Sequence, residues 1–372
     1  MRQLSGKYST AAARWAGVGP YYAMFPATFA DKVISRYTEP GDVIIDPFSG
    51  RGTSLFSAAV LGRRGIGVEI NPVGWVYSQA KLHPATEDSV MERLVEIAGI
   101  SWRYRDQARN APSFFHSCYR PNVLRFLLAA RSHLKWRRRK IDWTAMAFLL
   151  INLHGKRADS FSNQMRQTKS MSPGYAVRWW RERNLTPPEL DPIDFLSKRL
   201  QWRYRKGIPD LEESRVYLGD STAVLPEVPR YWGPEHRRAR LLLTSPPYRG
   251  ITNYHYDQWL RLWLLGGAPA PNAGSGGRGK YRGKFDNTPQ YRQLLADVFR
   301  ESRNLLRHDA VIYVRTDRRP STLHITVEVL REVFPKHRAR HCSRPHIVPT
   351  QTRLFGHSDP RVGEVDLILS PW

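Results

Sequence analysis

Val43-Ile-Ile-Asp46-Pro-Phe-Ser-Gly50-Arg-Gly52-Thr53 is the stretch on which the fold turns. Three apolar residues in a row describe a strand buried on both faces, as in a parallel sheet. Gly50 and Gly52 break it, and Ser54 to Leu61 is then apolar at helical spacing and stops at Gly62. Gly65-Ile-Gly-Val-Glu69 reads as a second strand ending in an acid. Strand, helix and strand within about thirty residues make one βαβ unit.

The pattern continues on both sides. A helix over 31–38 and the turn Glu39-Pro-Gly-Asp42 precede the first strand. Further strands read at 215–220, 239–244, 310–315 and 365–369, with a weaker one near 338–341 and a helix over 290–306. Between them, 85–210 is helical in pattern and shows no strand. The expected fold is α/β: a doubly wound, mostly parallel sheet with a large helical insert between the second and third strands. The chain then divides into 1–84, the insert 85–210, and 211–372. Gly266 to Lys284, rich in Gly, Pro, Arg and Lys, reads as a mobile loop.

The 372 residues are 41% hydrophobic, enough for a core, and carry a formal charge of +25 with 12 Trp and 17 Tyr. That surplus beside so many aromatic rings points to nucleic acid, since cations meet phosphates and rings stack on bases. Half of it lies in the insert, where 24 Lys and Arg face 12 Asp and Glu. Three runs there, Lys135-Trp-Arg-Arg-Arg-Lys140, Arg178-Trp-Trp-Arg181 and Gln201-Trp-Arg-Tyr-Arg205, make Arg137, Arg138, Arg139, Lys140, Arg178, Arg181, Arg203 and Arg205 the candidate nucleic-acid contacts. The competing reading is a helical cap whose Arg and Trp faces pack onto the sheet. Gln167-Thr-Lys-Ser-Met-Ser-Pro173 is polar and irregular, fit for a binding loop. Only two cysteines occur, Cys118 and Cys342, so neither a disulfide framework nor a zinc cluster can be built, and a cytoplasmic setting fits. The first 17 residues lack the apolar core of a signal peptide, and the longest apolar run, Ala145 to Leu153, is too short to span a bilayer.

In open α/β sheets ligands bind beyond the carboxyl ends of the strands, so the Gly50–Gly52 turn is the expected cofactor site. Its spacing is not that of a dinucleotide fingerprint, and no lysine follows Gly52 as in a phosphate-cradling loop. A ligand without phosphates is indicated. Glu69, 23 residues after Asp46, stands where an acid accepts protons from both ribose hydroxyls. At the end of the fourth strand, Thr244-Ser245-Pro246-Pro247-Tyr248 presents a hydroxyl, two stiffening prolines and a ring.

Together the two stretches resemble the cofactor and catalytic motifs of the S-adenosylmethionine-dependent DNA amino-methyltransferases of the N4-cytosine and N6-adenine type. The resemblance covers roughly 18–84 and 211–370. It implies a Rossmann-like sheet, S-adenosylmethionine as cofactor, double-stranded DNA as substrate and a cognate restriction endonuclease as partner. It assigns Tyr22, Phe25, Asp46, Pro47, Phe48, Gly50, Gly52, Thr53, Glu69, Asp220 and Thr244 to the cofactor, with Asp46 toward the methionine amine and Asp220 toward the adenine amine. Ser245, Pro246, Pro247 and Tyr248 become catalytic. The exocyclic amine of a base is a poor nucleophile until acceptors hold its N–H bonds, for which the Ser245 hydroxyl and Pro246 carbonyl are placed. Tyr248 would stack on a flipped base, worth about 1–3 kcal/mol. Transfer would be direct, without a covalent intermediate. Ser at the first motif position resembles the N4-cytosine group. Carbon-5 methylation is set aside, because neither cysteine follows a proline. N6-adenine methylation, RNA base methylation and a catalytically inactive nucleic-acid-binding protein are the alternatives.

Overall fold

The structure is a computed structural model that describes residues 8–20, 25–231, 238–250, 253–271, 285, 287–342 and 363–372. The Gly266–Lys284 loop and Tyr22 fall largely or wholly outside that set. The chain forms two compact units. One is built from Tyr22–Ser78, Asp210–Asn253 and Lys280–Trp372, the other from Met1–Tyr21, Gln79–Pro209 and Tyr254–Gly279. The helical unit thus takes in the N-terminal residues and 254–279 as well as the stretch read as the insert.

The first unit is the sheet. Its strands among the described residues are Val43–Asp46 (β1), Arg64–Glu69 (β2), Arg215–Leu218 (β3), Ala239–Thr244 (β4), Leu306–Asp317 (β5), His337–Cys342 (β6) and Glu364–Pro371 (β7). They lie in the order β3-β2-β1-β4-β5-β7-β6. β1 pairs in parallel with β2 and β4, β2 with β3, and β4 with β5, whereas β7 runs antiparallel to both β5 and β6. The sheet is therefore α/β, doubly wound and mostly parallel. The expected third strand is two residues shorter than read, since Gly219-Asp220 turns into a helix cap.

Alternation along the strands sorts the core into two layers. Val43, Ile45, Ile66, Val68, Leu242, Ile312, Val314, Leu367 and Leu369 share one face with the apolar stripes of helices Thr288–Asn304 and Pro320–Val333. Ile44, Leu241, Leu243, Val311, Tyr313 and Ile368 share the other with Ala30, Val33 and Ile34 of helix Ala27–Tyr37. Each such aliphatic residue buried contributes about 1.5–3 kcal/mol. β2 is glycine-rich because helix Thr53–Val60 presses onto it: a Cβ at Gly67 would lie 2.5 Å from Leu55 Cδ1 and 2.9 Å from Ser49 Cβ.

The second unit is helical. Helix Lys140–Asn152 is buried on nearly all sides, as its continuous apolar run requires. Asp142, fully buried, accepts from Arg93 Nε at 2.9 Å and from the Lys135 backbone N–H at 2.8 Å, which fixes the turn ahead of this helix. The 167–173 segment is held down rather than free. Lys169 pairs with Asp257 at 2.7 Å, Arg261 donates to the Gln167 carbonyl at 2.5 Å, and Trp259 donates to the Met171 carbonyl at 2.9 Å. No helix among the described residues is long and apolar enough to cross a membrane.

Candidate active site at the ends of β1, β2 and β4

β1 sits between β2 and β4, and the winding of the sheet reverses there, the point beyond whose strand carboxyl ends open α/β sheets take their ligands. The turn after β1 fills that position. Gly50 and Gly52 have φ of 55° and 69°, and Gly52 is the residue from which helix Thr53–Val60 starts. Its amide donates to the Ser49 carbonyl at 2.7 Å. A Cβ on Gly52 would lie 2.5 Å from Ser78 Oγ and 2.9 Å from Ser78 Cβ. Left-handed backbone and this contact together make Gly52→Ala destabilising by about 2–3 kcal/mol, to be read from the denaturant midpoint of unfolding.

Asp46 ends β1, 2% exposed, and ties the two sequence motifs together. Its carboxylate accepts the Phe48 amide at 3.1 Å, the Thr244 hydroxyl at 2.6 Å and the Ser54 hydroxyl. Burial pushes its pKa up to about 6, against the lowering effect of these three donors. The glycine turn and the Thr-Ser-Pro-Pro-Tyr corner thus meet at one strand end. Asp46, expected to orient a ligand amine, thus also accepts from three of the protein's own donors.

Glu69 ends β2 and is buried. It accepts the Asn71 amide at 2.7 Å and further amides from Gly50 and Ile70. Burial outweighs these bonds and raises its pKa to about 8, with the Asp46 charge adding to the rise. Asp220 is half-buried and caps the helix Ser221–Val224, accepting the Thr222 amide at 2.9 Å and hydroxyl at 2.8 Å. The neighbouring Ser221 hydroxyl donates to the Pro47 carbonyl at 2.5 Å, joining the turns after β1 and β3. Pro47 and Thr53 are buried and Phe48 is half-buried. Phe25 packs edge-on to Phe29 at 5.3 Å as part of the core. Ile70, which the sequence did not single out, stands 48% exposed beside Glu69 as an apolar surface.

At the end of β4, Ser245 is half-buried and its hydroxyl donates to the Tyr248 phenol at 3.3 Å. Pro246 is buried and Pro247 half-buried. The Tyr248 ring is buried, not presented for stacking, and its phenol donates to Glu364 of β7 at 2.9 Å. Arg315 of β5 lies 3.7 Å from Glu364 and makes a two-pronged pair with Asp366 at 2.7 and 2.9 Å. Glu364 and Arg315 carry no local sequence signal. Only the antiparallel register of β5 and β7 brings them to the corner.

In the helical unit Arg137, Arg138, Arg139, Lys140, Arg178, Arg181 and Arg205 are exposed. They lie on separate elements: the turn before Lys140–Asn152, helix Pro173–Arg181, and the end of helix Pro192–Tyr204. Arg203 differs. It is buried, donates to the Arg14 carbonyl and stacks over Trp202 at 5.1 Å, so packing rather than phosphate contact accounts for it. Cys118 is fully buried, and burial pushes its thiol up, which removes it as a nucleophile.

Residues 3–74 match the model of a DNA methylase family, N6_N4_Mtase. Type II methyltransferase M.MjaII of Methanocaldococcus jannaschii is 35% identical over 66 residues, 18% of this chain and 12% of that protein. Type II methyltransferase M.MthZI of Methanothermobacter thermautotrophicus is 41% identical over 49 residues, 13% of this chain and 14% of that protein. The matched stretches thus span only a small part of either relative's length. The rRNA methyltransferase aviRa from Streptomyces viridochromogenes aligns over 100% of this chain and 94% of its own, at 13% identity and a TM-score of 0.36. The segment 3–74, which holds the glycine turn and the buried strand-end acids, is thus similar to the DNA methylase family of the N6 and N4 amino type.

Proposed function

We propose that this protein is a DNA amino-methyltransferase that takes its methyl group from S-adenosylmethionine and delivers it to N4 of cytosine. S-adenosylmethionine is the methyl donor that the matched family implies, and the strand ends fit it. The turn has two glycines at positive φ and no phosphate-binding lysine, Glu69 stands at the ribose position, and Ile70 offers an apolar face for a purine. When bound, it supplies an electrophilic methyl group on a sulfonium.

The observation that carries the reading is the 2.6 Å bond from Thr244 to Asp46, which holds the cofactor turn and the Ser-Pro-Pro-Tyr corner at one rim. Ser245 and the Pro246 carbonyl accept the N–H bonds of a base amine and turn its lone pair toward the cofactor. Pro246 and Pro247 keep these acceptors in place. Tyr248, buried behind the corner, accepts the Ser245 hydroxyl and so holds it in place for a base swung out of the duplex. Duplex DNA as substrate is supported by the charge of +25 and by the exposed arginines of the helical unit.

Incubation of the purified protein with duplex DNA and methyl-labelled cofactor, followed by nucleoside separation, should yield N4-methylcytosine. Label in N6-methyladenine would move the acceptor to adenine, and label only in tRNA or rRNA would replace DNA. No transfer to any of them would sink the reading.

A further inference from the structure

We infer that Glu364 is a positioning residue whose carboxylate, acting through the Tyr248 phenol, commits the Ser245 proton inward and so leaves the Ser245 oxygen as an acceptor for substrate. The inference rests on the amino-methyltransferase reading above and adds a residue to it. A serine hydroxyl has one proton and two lone pairs, and is as ready to donate as to accept. Holding a base amine requires the second behaviour. If its proton pointed toward the incoming N–H, the two hydrogens would face each other and the amine would lose this acceptor.

The geometry at the end of β4 sets the direction. Ser245 Oγ lies 3.3 Å from the Tyr248 oxygen, and that oxygen lies 2.9 Å from Glu364 Oε1. A carboxylate only accepts, so the phenol donates to Glu364 and its oxygen is left to accept from Ser245. Burial of Tyr248, with Glu364 next in effect, pushes its pKa well above the usual phenol value, so the phenol keeps its proton at neutral pH. Each bond in such a chain polarises the next. The far end is anchored as well. Arg315, buried, stands 3.7 Å from Glu364 while locked onto Asp366 by two bonds, and Tyr313 donates to the same Asp366 at 2.9 Å. Among the described residues, the groups bonded or ion-paired to Glu364 are the Tyr248 phenol from the β4 corner and the Arg315 guanidinium from β5.

The experiment uses the full chain, with steady-state methylation of duplex DNA, cofactor affinity by calorimetry, and thermal unfolding. Three variants are compared: Tyr248→Phe, which keeps the ring but removes the acceptor for Ser245; Glu364→Gln, which keeps a carbonyl acceptor; and Glu364→Met, which has none. Tyr248→Phe and Glu364→Met should lower kcat by about 100-fold, the scale of a misplaced reacting group. KM for DNA and cofactor affinity should stay within about threefold, because only the reacting state needs the directed acceptor. Glu364→Gln should recover most of the lost kcat. Activity close to wild type in both Tyr248→Phe and Glu364→Met overturns the inference while leaving the methyltransferase reading standing. A rise in KM with kcat unchanged overturns it too, since that marks a binding role. If Glu364→Met fails to fold, Tyr248→Phe decides alone. A wild type that methylates nothing instead removes the parent reading.

Discussion

Replacing Asp46 by alanine is expected to cost about 2–4 kcal/mol of stability and to abolish methyl transfer, since it leaves several buried donors without an acceptor. The Phe48 amide cannot reorient, and the Thr244 and Ser54 hydroxyls are both fully buried. Each buried polar group left unmatched costs about 1–3 kcal/mol, and the two hydroxyls recover part of this by rotating. Activity should fall further than stability, because Thr244 is the step immediately before Ser245 and loses its tether to the cofactor turn. Asp46→Asn keeps one acceptor oxygen and should fall between the two. Denaturant unfolding together with a methylation assay checks this. A stable Asp46→Ala protein with wild-type turnover would show that the tie between β1 and β4 has no functional weight.

The second large effect concerns Glu69 and pH. Burial pushes its pKa up to about 8, which favours the protonated carboxyl near neutral pH. The ionised form accepts a ribose hydroxyl more strongly than the neutral one. Cofactor affinity should therefore strengthen as pH rises through about 8, and Glu69→Gln should bind weakly and without that rise. Glu69→Ala should weaken the cofactor by about 100-fold, given about 1.5–3 kcal/mol for a hydrogen bond to a charged group. Calorimetric titrations of wild type and variant between pH 6 and pH 9 measure the difference, with the ligand's own ionisation common to both.

Stability has the opposite slope. A carboxyl whose pKa is higher folded than unfolded binds more protons in the folded state between the two values. The stability it contributes is complete below the ordinary carboxylate range and is lost as pH rises. For Asp46 the loss runs up to about 6 and for Glu69 up to about 8. Denaturant midpoints should fall across that window, and Glu69→Gln should flatten the upper part.

Much of this architecture is legible in the chain because each central strand is a short apolar run stopped by glycine, proline or acid. β1, β2 and β4 are read within a residue, and the helix read over 290–306 within two, at Thr288–Asn304. Helix Pro320–Val333 escapes because Thr, Ile and Val make it resemble a strand, although Thr322, Ile325, Thr326, Val329, Leu330 and Val333 form a helical stripe behind an N-terminal proline. Strand-end placement is legible where it is local to one turn, at Gly50, Gly52, Glu69 and Ser245. It is illegible where partners meet only through strand order, as Glu364 meets Tyr248 across 116 residues. Asp220 shows the limit of residue type as a guide. The same carboxylate that suits an adenine amine also suits a helix start, and here it caps one. Arg203 shows that a basic run is not uniform, since one of its members faces inward.

The distance along the chain between sheet neighbours has a cost during synthesis. β1 and β2 can pair as soon as residue 69 is made, yet the far side of β1 is matched by Leu241 and Leu242, and the far side of β2 by residues 215–218. At about 5–20 residues per second, the ribosome needs on the order of ten to thirty seconds to supply those partners. Through that interval a two-stranded ribbon with apolar faces and open edges is exposed to the cell. Nascent-chain holding factors should therefore matter more for the yield of this protein than for one whose sheet grows in sequence order.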